Sequence, residues 1–159
     1  MHILIYGGGA VGLGIASCLI HSGSDVDIVA RPETVAALRA DGLVRTGLFG
    51  SVRAEPHAFA SHACLDEIGH TRYDFVLICT KSFDSEAAAK DLAEHADRIG
   101  SDATLVLFQN GWGNAEIVCT HFDKDRVYNA RVITGFHRHR ANEVDVTVHA
   151  GPEPSLSPG

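Results

Sequence analysis

Ile3-Leu4-Ile5-Tyr6-Gly7-Gly8-Gly9-Ala10-Val11-Gly12-Leu13-Gly14 decides how this chain is read. A short apolar run with β-branched residues meets a cluster of glycines. Leu13 to His21 then reads as a helix with apolar residues on most faces, ended by Ser22-Gly23, and Val26 to Ala30 reads as a second strand. Strand, glycine turn, helix and strand within the first 30 residues make a βαβ unit. A Gly7-x-Gly9-x-x-Gly12 turn could by itself be a tight βα connection. Placed after a strand and opening a helix, it has the form of a dinucleotide-binding turn. Gly7 makes the turn, Gly9 lets a pyrophosphate approach the backbone, and Gly12 lets the helix pack on the sheet. The free N–H groups around Gly8, Ala10 and Val11 and the helix dipole attract a diphosphate.

The first 24 residues contain no Asp, Glu, Lys or Arg. A carboxylate there would repel the diphosphate, so the missing charge fits the turn. It does not mark a signal peptide, because there is no cationic n-region and glycines interrupt the stretch. The longest apolar run, around Ala10 to Ile20, is far short of the ~20 residues a bilayer needs.

Outward from this unit, the strand and helix signals alternate. Pro32 suits the first turn of a helix that carries Val35, Leu38 and Arg39 and ends near Asp41-Gly42. Residues 43–56 read as a β-hairpin or irregular strand with Gly47 and Gly50 at the turn. Residues 57–72 read as a polar, His-rich loop with one helical turn around Leu65 and Ile68. Phe75-Val76-Leu77-Ile78-Cys79 and Thr104-Leu105-Val106-Leu107-Phe108 are unbroken apolar runs, as suits parallel strands buried on both faces. Asp84 is expected to cap a helix over 85–99, and Asn114 one that runs to His121. Residues 127–132 are the next strand. Val144-Asp145-Val146-Thr147-Val148-His149 alternates strictly, as an antiparallel strand with one wet face does. The predicted fold is α/β: a doubly wound parallel sheet of the Rossmann kind with a short antiparallel extension at the C-terminal end. Residues 1–150 form the dinucleotide-binding domain, and the Pro-rich stretch 151–159 reads as the start of a linker.

The 159 residues suffice for one domain, and at 45% hydrophobic and 21% charged the chain is not a disordered one. Thirteen Lys and Arg against twenty Asp and Glu give a net charge of −7. That argues against general binding to nucleic acid or to an anionic membrane, but not against a local cationic site for one phosphate. The four cysteines, Cys18, Cys64, Cys79 and Cys119, form no CxxC pair, which argues against a zinc ribbon or a thioredoxin-type site. They read as reduced thiols in a cytoplasmic protein.

The end of the second strand selects the cofactor. NAD sites place Asp or Glu there for the ribose 2′-OH. Here the residues are Ala30 and Arg31, and a guanidinium pairs instead with a 2′-phosphate. The sequence therefore favours NADP, with a plain surface arginine as the bland alternative. Lys81 and Asn110 follow the strands Phe75–Thr80 and Thr104–Phe108, at carboxyl ends where open α/β sheets bind ligands. A lysine there holds a ribose hydroxyl or a substrate carboxylate, and an asparagine donates and accepts. Their plain readings are a solvated loop lysine and an Asn-Gly turn. Of the ten histidines, His137 and His139 would share a strand face, but Arg138 and Arg140 alternate with them and oppose a cation, so no metal is expected.

Together Gly7 to Gly14, Val29-Ala30-Arg31, Thr80-Lys81 and Gln109-Asn110-Gly111-Trp112-Gly113-Asn114 resemble the ketopantoate reductase family, the 2-dehydropantoate 2-reductases. Val148-His149-Ala150-Gly151-Pro152 is similar too. The resemblance covers nearly the whole chain, but only the family's N-terminal, NADP-binding half. It implies reduction of 2-dehydropantoate to pantoate by NADPH, on the route to pantothenate and coenzyme A. It places Thr80, Lys81 and Asn110 at the cofactor, with Lys81 and Asn110 supporting catalysis and Asn110 bordering the 2-keto acid. The general acid, a lysine of a helical C-terminal domain, is expected outside this chain. That domain is the implied partner, and a homodimer is left open. Ile133 to Arg140 departs from the family's small-residue pattern. This keeps two alternatives in view: a dehydrogenase for a glycerol phosphate or an imino acid, and a nucleotide-binding or redox-sensing module without turnover.

Overall fold

A computed structural model describes residues 1–69 and 71–148. The elements are β1 (His2–Tyr6), α1 (Ala10–His21), β2 (Asp25–Val29), α2 (Pro32–Asp41), β3 (Leu43–Gly47), β4 (Val52–Ala54), β5 (Ala60–His62) and β6 (Phe75–Ile78). Then come α3 (Ser85–Glu94), α4 (Ala96–Ile99), β7 (Thr104–Leu107), α5 (Asn114–Val118), β8 (Val127–Asn129), β9 (Gly135–Arg140) and β10 (Glu143–Val148). Six strands form one parallel sheet in the order β5-β2-β1-β6-β7-β8. The chain leaves β1 toward β2 and later returns to β1's other side as β6. The carboxyl ends of β1 and β6 therefore flank the crevice where such sheets take ligands.

The predicted doubly wound Rossmann sheet is present. Its two faces are covered by separate apolar clusters, as runs buried on both sides require. Ile3, Ile5, Val26 and Ile28 pack against Leu13, Ala16 and Leu38 on one face. Leu4, Val76, Ile78, Leu105 and Leu107 pack against Ala88, Ala89 and Leu92 on the other.

The C-terminal extension is more than an antiparallel add-on. The hairpin β3–β4 and the hairpin β9–β10 are each antiparallel, but they join through a parallel pair between β3 and β10, giving a mixed sheet β4-β3-β10-β9. Val144 and Val146 face the core and are fully buried, which accounts for the alternation. Helix α1 lies between the two sheets, so it is apolar nearly all round. At Gly14 a Cβ would stand 2.3 Å from the Phe136 ring, so the helix can approach β9 only without a side chain there.

Six local expectations are corrected. Residues 57–72 are not all loop: Ala60–His62 adds an edge strand beside β2, followed by the expected helical turn at Leu65–Glu67. The helix over 85–99 is broken at His95 into α3 and α4. Asp84 precedes α3 without a side-chain capping bond. Asn114 is not a cap either; Gly113, at φ +88°, precedes α5, and the buried Asn114 side chain accepts from Ser85 Oγ at 2.8 Å. The strand expected over 127–132 ends at Asn129, and α5 ends at Val118. The histidines at 70 and 149, the expected linker 151–159 and the family-like stretch from 149 lie outside the described residues. All four cysteines are free. Among the described residues no helix is long and apolar enough to cross a membrane.

Candidate functional site

The glycine turn has the shape its sequence calls for. Gly7 sits at φ +118°, and a Cβ there would stand 2.9 Å from the Cys79 carbonyl carbon and the Thr80 nitrogen. A Cβ on Gly12 would stand 1.9 Å from the Gly7 oxygen, so α1 can dock against the turn only through hydrogen. A Cβ on Gly9, by contrast, would meet nothing within 4 Å. That position is open on the approach side. Leu13 makes the first intrahelical bond, to the Gly9 carbonyl at 2.9 Å. The amides of Ala10, Val11 and Gly12 are left without helical acceptors, and the first turn holds no acid. This is a cradle for an anion, and it fits a dinucleotide's pyrophosphate.

A cavity of about 490 Å³ opens on this turn. Gly7, Gly8 and Gly9 line it together with Ala30, Arg31, Thr34, Thr80, Lys81 and Arg138. It is lined by three cations and no carboxylate. Among the described residues none of the three is ion-paired. Ala30, where an acid would read a 2′-hydroxyl, is buried against the turn: a Cβ on Gly8 would stand 2.4 Å from the Ala30 Cβ. Arg31 is exposed at the N-terminal end of α2. Ala10, Val11 and Gly12, at the start of α1, are not among the lining residues.

In the sequence Arg138 reads as a charge opposing metal binding, within a stretch that departs from the family pattern. In the structure it reaches over from β9. Its Nη1 donates to the Gly8 carbonyl at 3.1 Å and its Nη2 to the Thr34 hydroxyl at 3.0 Å. Strand alternation explains its direction: Phe136 and Arg138 point toward the parallel sheet. His137 and His139 point away, exposed, with ring centroids 4.7 Å apart. The signal was the i, i+2 relation of Arg138 to an apolar Phe136.

At the ends of β6 and β7 the chain is tied across. Gln109, buried, donates from Nε2 to the Thr80 hydroxyl at 3.0 Å and to the Lys81 carbonyl at 3.2 Å. Ser82 Oγ donates to the Asn110 carbonyl at 2.9 Å. Lys81 reaches the cavity. Asn110 is exposed, its amide donates to the Val132 carbonyl at 3.2 Å, and it is not among the lining residues. In the sequence Gln109 reads only as part of a motif, and its role as a tie comes from the structure. Tyr6 also lines the cavity; burial, and then its 2.5 Å bond to Asp91 Oδ2, push its hydroxyl well above the usual tyrosine range. Burial likewise raises the Cys79 thiol, so it behaves as an inert core group.

The family model described as Ketopantoate reductase PanE/ApbA matches residues 3–154. Curated relatives include the 2-dehydropantoate 2-reductase of Halobacterium salinarum, 28% identical over 152 residues, with 95% of this chain and 46% of the relative covered. That of Aquifex aeolicus is 25% identical over 150 residues, covering 94% and 44%. The chain thus spans about half the length of the curated relatives it matches. Among solved structures, a 2-dehydropantoate 2-reductase from Geobacter metallireducens superposes with a TM-score of 0.80 at 27% identity, covering 92% of this chain and 46% of that one. D-mandelate dehydrogenase with NADH and anilino(oxo)acetate shares the fold, with a TM-score of 0.77 at 21% identity and coverage of 93% and 46%. This chain belongs to the ketopantoate reductase family.

Proposed function

As a member of the ketopantoate reductase family, this chain is, we propose, the NADP-binding half of an oxidoreductase that reduces a 2-keto acid, 2-dehydropantoate to pantoate. The observation that carries this reading is the cavity beside the glycine turn, lined by three cations and no carboxylate in a chain of net charge −7. Such a lining selects a polyanion. The amides of Ala10, Val11 and Gly12 would hold the pyrophosphate, and Arg31 the 2′-phosphate. Thr80 and Lys81, tied by Gln109, would hold the nicotinamide end, with Asn110 on the substrate side. When bound, the cofactor supplies a hydride to the ketone carbon. The residues described here bind and orient it. The proton for the developing alkoxide comes, in this reading, from a lysine of a helical C-terminal domain beyond residues 151–159, and the protein works in the cytoplasm.

The D-mandelate dehydrogenase structures carry NADH, so the cofactor choice is the sharpest test. Titration of the 159-residue chain with NADPH and NADH, followed by cofactor fluorescence, should give tighter binding of NADPH by tenfold or more. Equal affinities would overturn the 2′-phosphate assignment. Saturation-transfer NMR with 2-dehydropantoate and NADP present tests the substrate: transfer to an unrelated 2-keto acid but not to 2-dehydropantoate would overturn that part.

A further inference from the structure

Of the residues that line the cavity, Arg138 alone belongs to the mixed sheet β4-β3-β10-β9. A guanidinium has five N–H donors. Here Nε donates to the Arg140 carbonyl at 3.1 Å, Nη1 to the Gly8 carbonyl at 3.1 Å and Nη2 to the Thr34 hydroxyl at 3.0 Å. One N–H on each terminal nitrogen is left over. A carbonyl and a hydroxyl fix the direction of the group, but neither neutralises its charge, and among the described residues no carboxylate is paired with it. Half-buried, aimed and uncompensated, this cation is prepared for an anion that arrives from outside.

Its two anchors say which anion. Gly8 is the glycine whose Cβ would meet Ala30 and Thr34, so it lies under the β2–α2 connection. Thr34 is in the first turn of α2, three residues after Arg31. Arg138 therefore stands beside the end of β2, the place where sites of this class read the ribose 2′ position. Arg31 opens the same turn and lines the same cavity. We propose that Arg138 is a second specificity-determining residue for the cofactor, holding the 2′-phosphate together with Arg31, one guanidinium from β9 and one from the start of α2. The inference rests on the reading of the cavity as an NADP site.

The test uses two nicotinamide-free probes that differ by one phosphate, 2′-phospho-ADP-ribose and ADP-ribose, titrated calorimetrically into the 159-residue chain. Arg138→Ala should lose tenfold or more in affinity for the phosphorylated probe and less than twofold for the other, and Arg138→Lys should recover part of the loss. In ³¹P NMR the bound 2′-phosphate should titrate at higher pH in Arg138→Ala than in the wild type, because a cation that favoured its dianion is gone. A merely structural strap would leave that titration unchanged and weaken both probes equally, which would overturn the proposal. Unchanged affinity for both probes would overturn it too. Should Arg138→Ala fail to fold, Arg138→Gln, which keeps a donor for Gly8 or Thr34, carries the same comparison. If the wild type binds neither probe, the cofactor reading itself fails, a result distinct from binding that ignores Arg138.

Discussion

Gln109 donates from Nε2 to the Thr80 hydroxyl at 3.0 Å, and so fastens the end of β7 to the end of β6 directly behind Lys81. The same amide reaches the Lys81 carbonyl at 3.2 Å. Gln109→Ala should lower stability by about 1–2 kcal/mol in urea unfolding, as a buried side-chain bond does. It should also weaken NADPH by roughly three- to tenfold, because Lys81 loses its fixed backbone.

Arg31 is exposed and unpaired among the described residues, so its removal should change cofactor choice more than stability. One charge-assisted hydrogen bond contributes ~1.5–3 kcal/mol. Arg31→Ala should weaken NADPH about ten- to a hundredfold and leave NADH nearly unchanged in parallel fluorescence titrations.

Two glycines of one turn should fail in opposite ways. At Gly12 a Cβ would stand 1.9 Å from the Gly7 oxygen, and Gly12→Ala should cost about 3 kcal/mol or more by thermal unfolding. At Gly9 the space is empty and the backbone sits at φ −80°. Gly9→Ala should fold normally and lose NADPH affinity by at least about tenfold, because the methyl group occupies the diphosphate's approach.

On the proposed reading, in which the proton donor belongs to a C-terminal domain, the 159-residue chain should bind NADPH yet show no appreciable oxidation of it on addition of 2-dehydropantoate. Turnover at ~1 s⁻¹ or faster, lost in Lys81→Ala, would show instead that the catalytic machinery is complete in these 159 residues.

His95 gives a pH dependence with a definite sign. The Asp91 carbonyl bonded to its Nδ1 at 2.8 Å, and then the Asp91 and Asp66 carboxylates, raise its pKa above the ordinary histidine value. The stabilisation is present in full below the unfolded value of about 6.5 and is lost as pH rises through the higher folded one. The stability gap between the wild type and His95→Gln, followed by urea unfolding, should be widest near pH 6 and narrow toward pH 8.

The parallel sheet was legible because its signals are local: unbroken apolar runs, a glycine turn at the first, and helix patterns between them. Strand β5 was not, because three residues ending in Ser61-His62 on a sheet edge have no apolar run to show. The pairing of β3 with β10 was not, because nothing in Leu43–Gly47 names a partner a hundred residues away. At the site, Arg31 and Lys81 announced themselves by following strands. Arg138 was hidden in an Arg-His repeat, where only knowledge of the inward face separates an arginine that lines the cavity from a wet one. Gln109 needed a contact across two loops that no single stretch encodes.

The parallel pairing of Glu143–Val146 with Val44–Gly47 also sets an order of events. Contacts this distant in sequence form late, because the entropy of closing so long a loop precedes any gain from the pairing. On the ribosome the glycine turn, β1 and β2 emerge early and can find one another. The β3–β4 hairpin must wait for almost the whole described chain before its neighbour arrives. Until then the β10 side of β3 is an unpaired strand edge, so this hairpin exposes newly made molecules to mispairing and to chaperones.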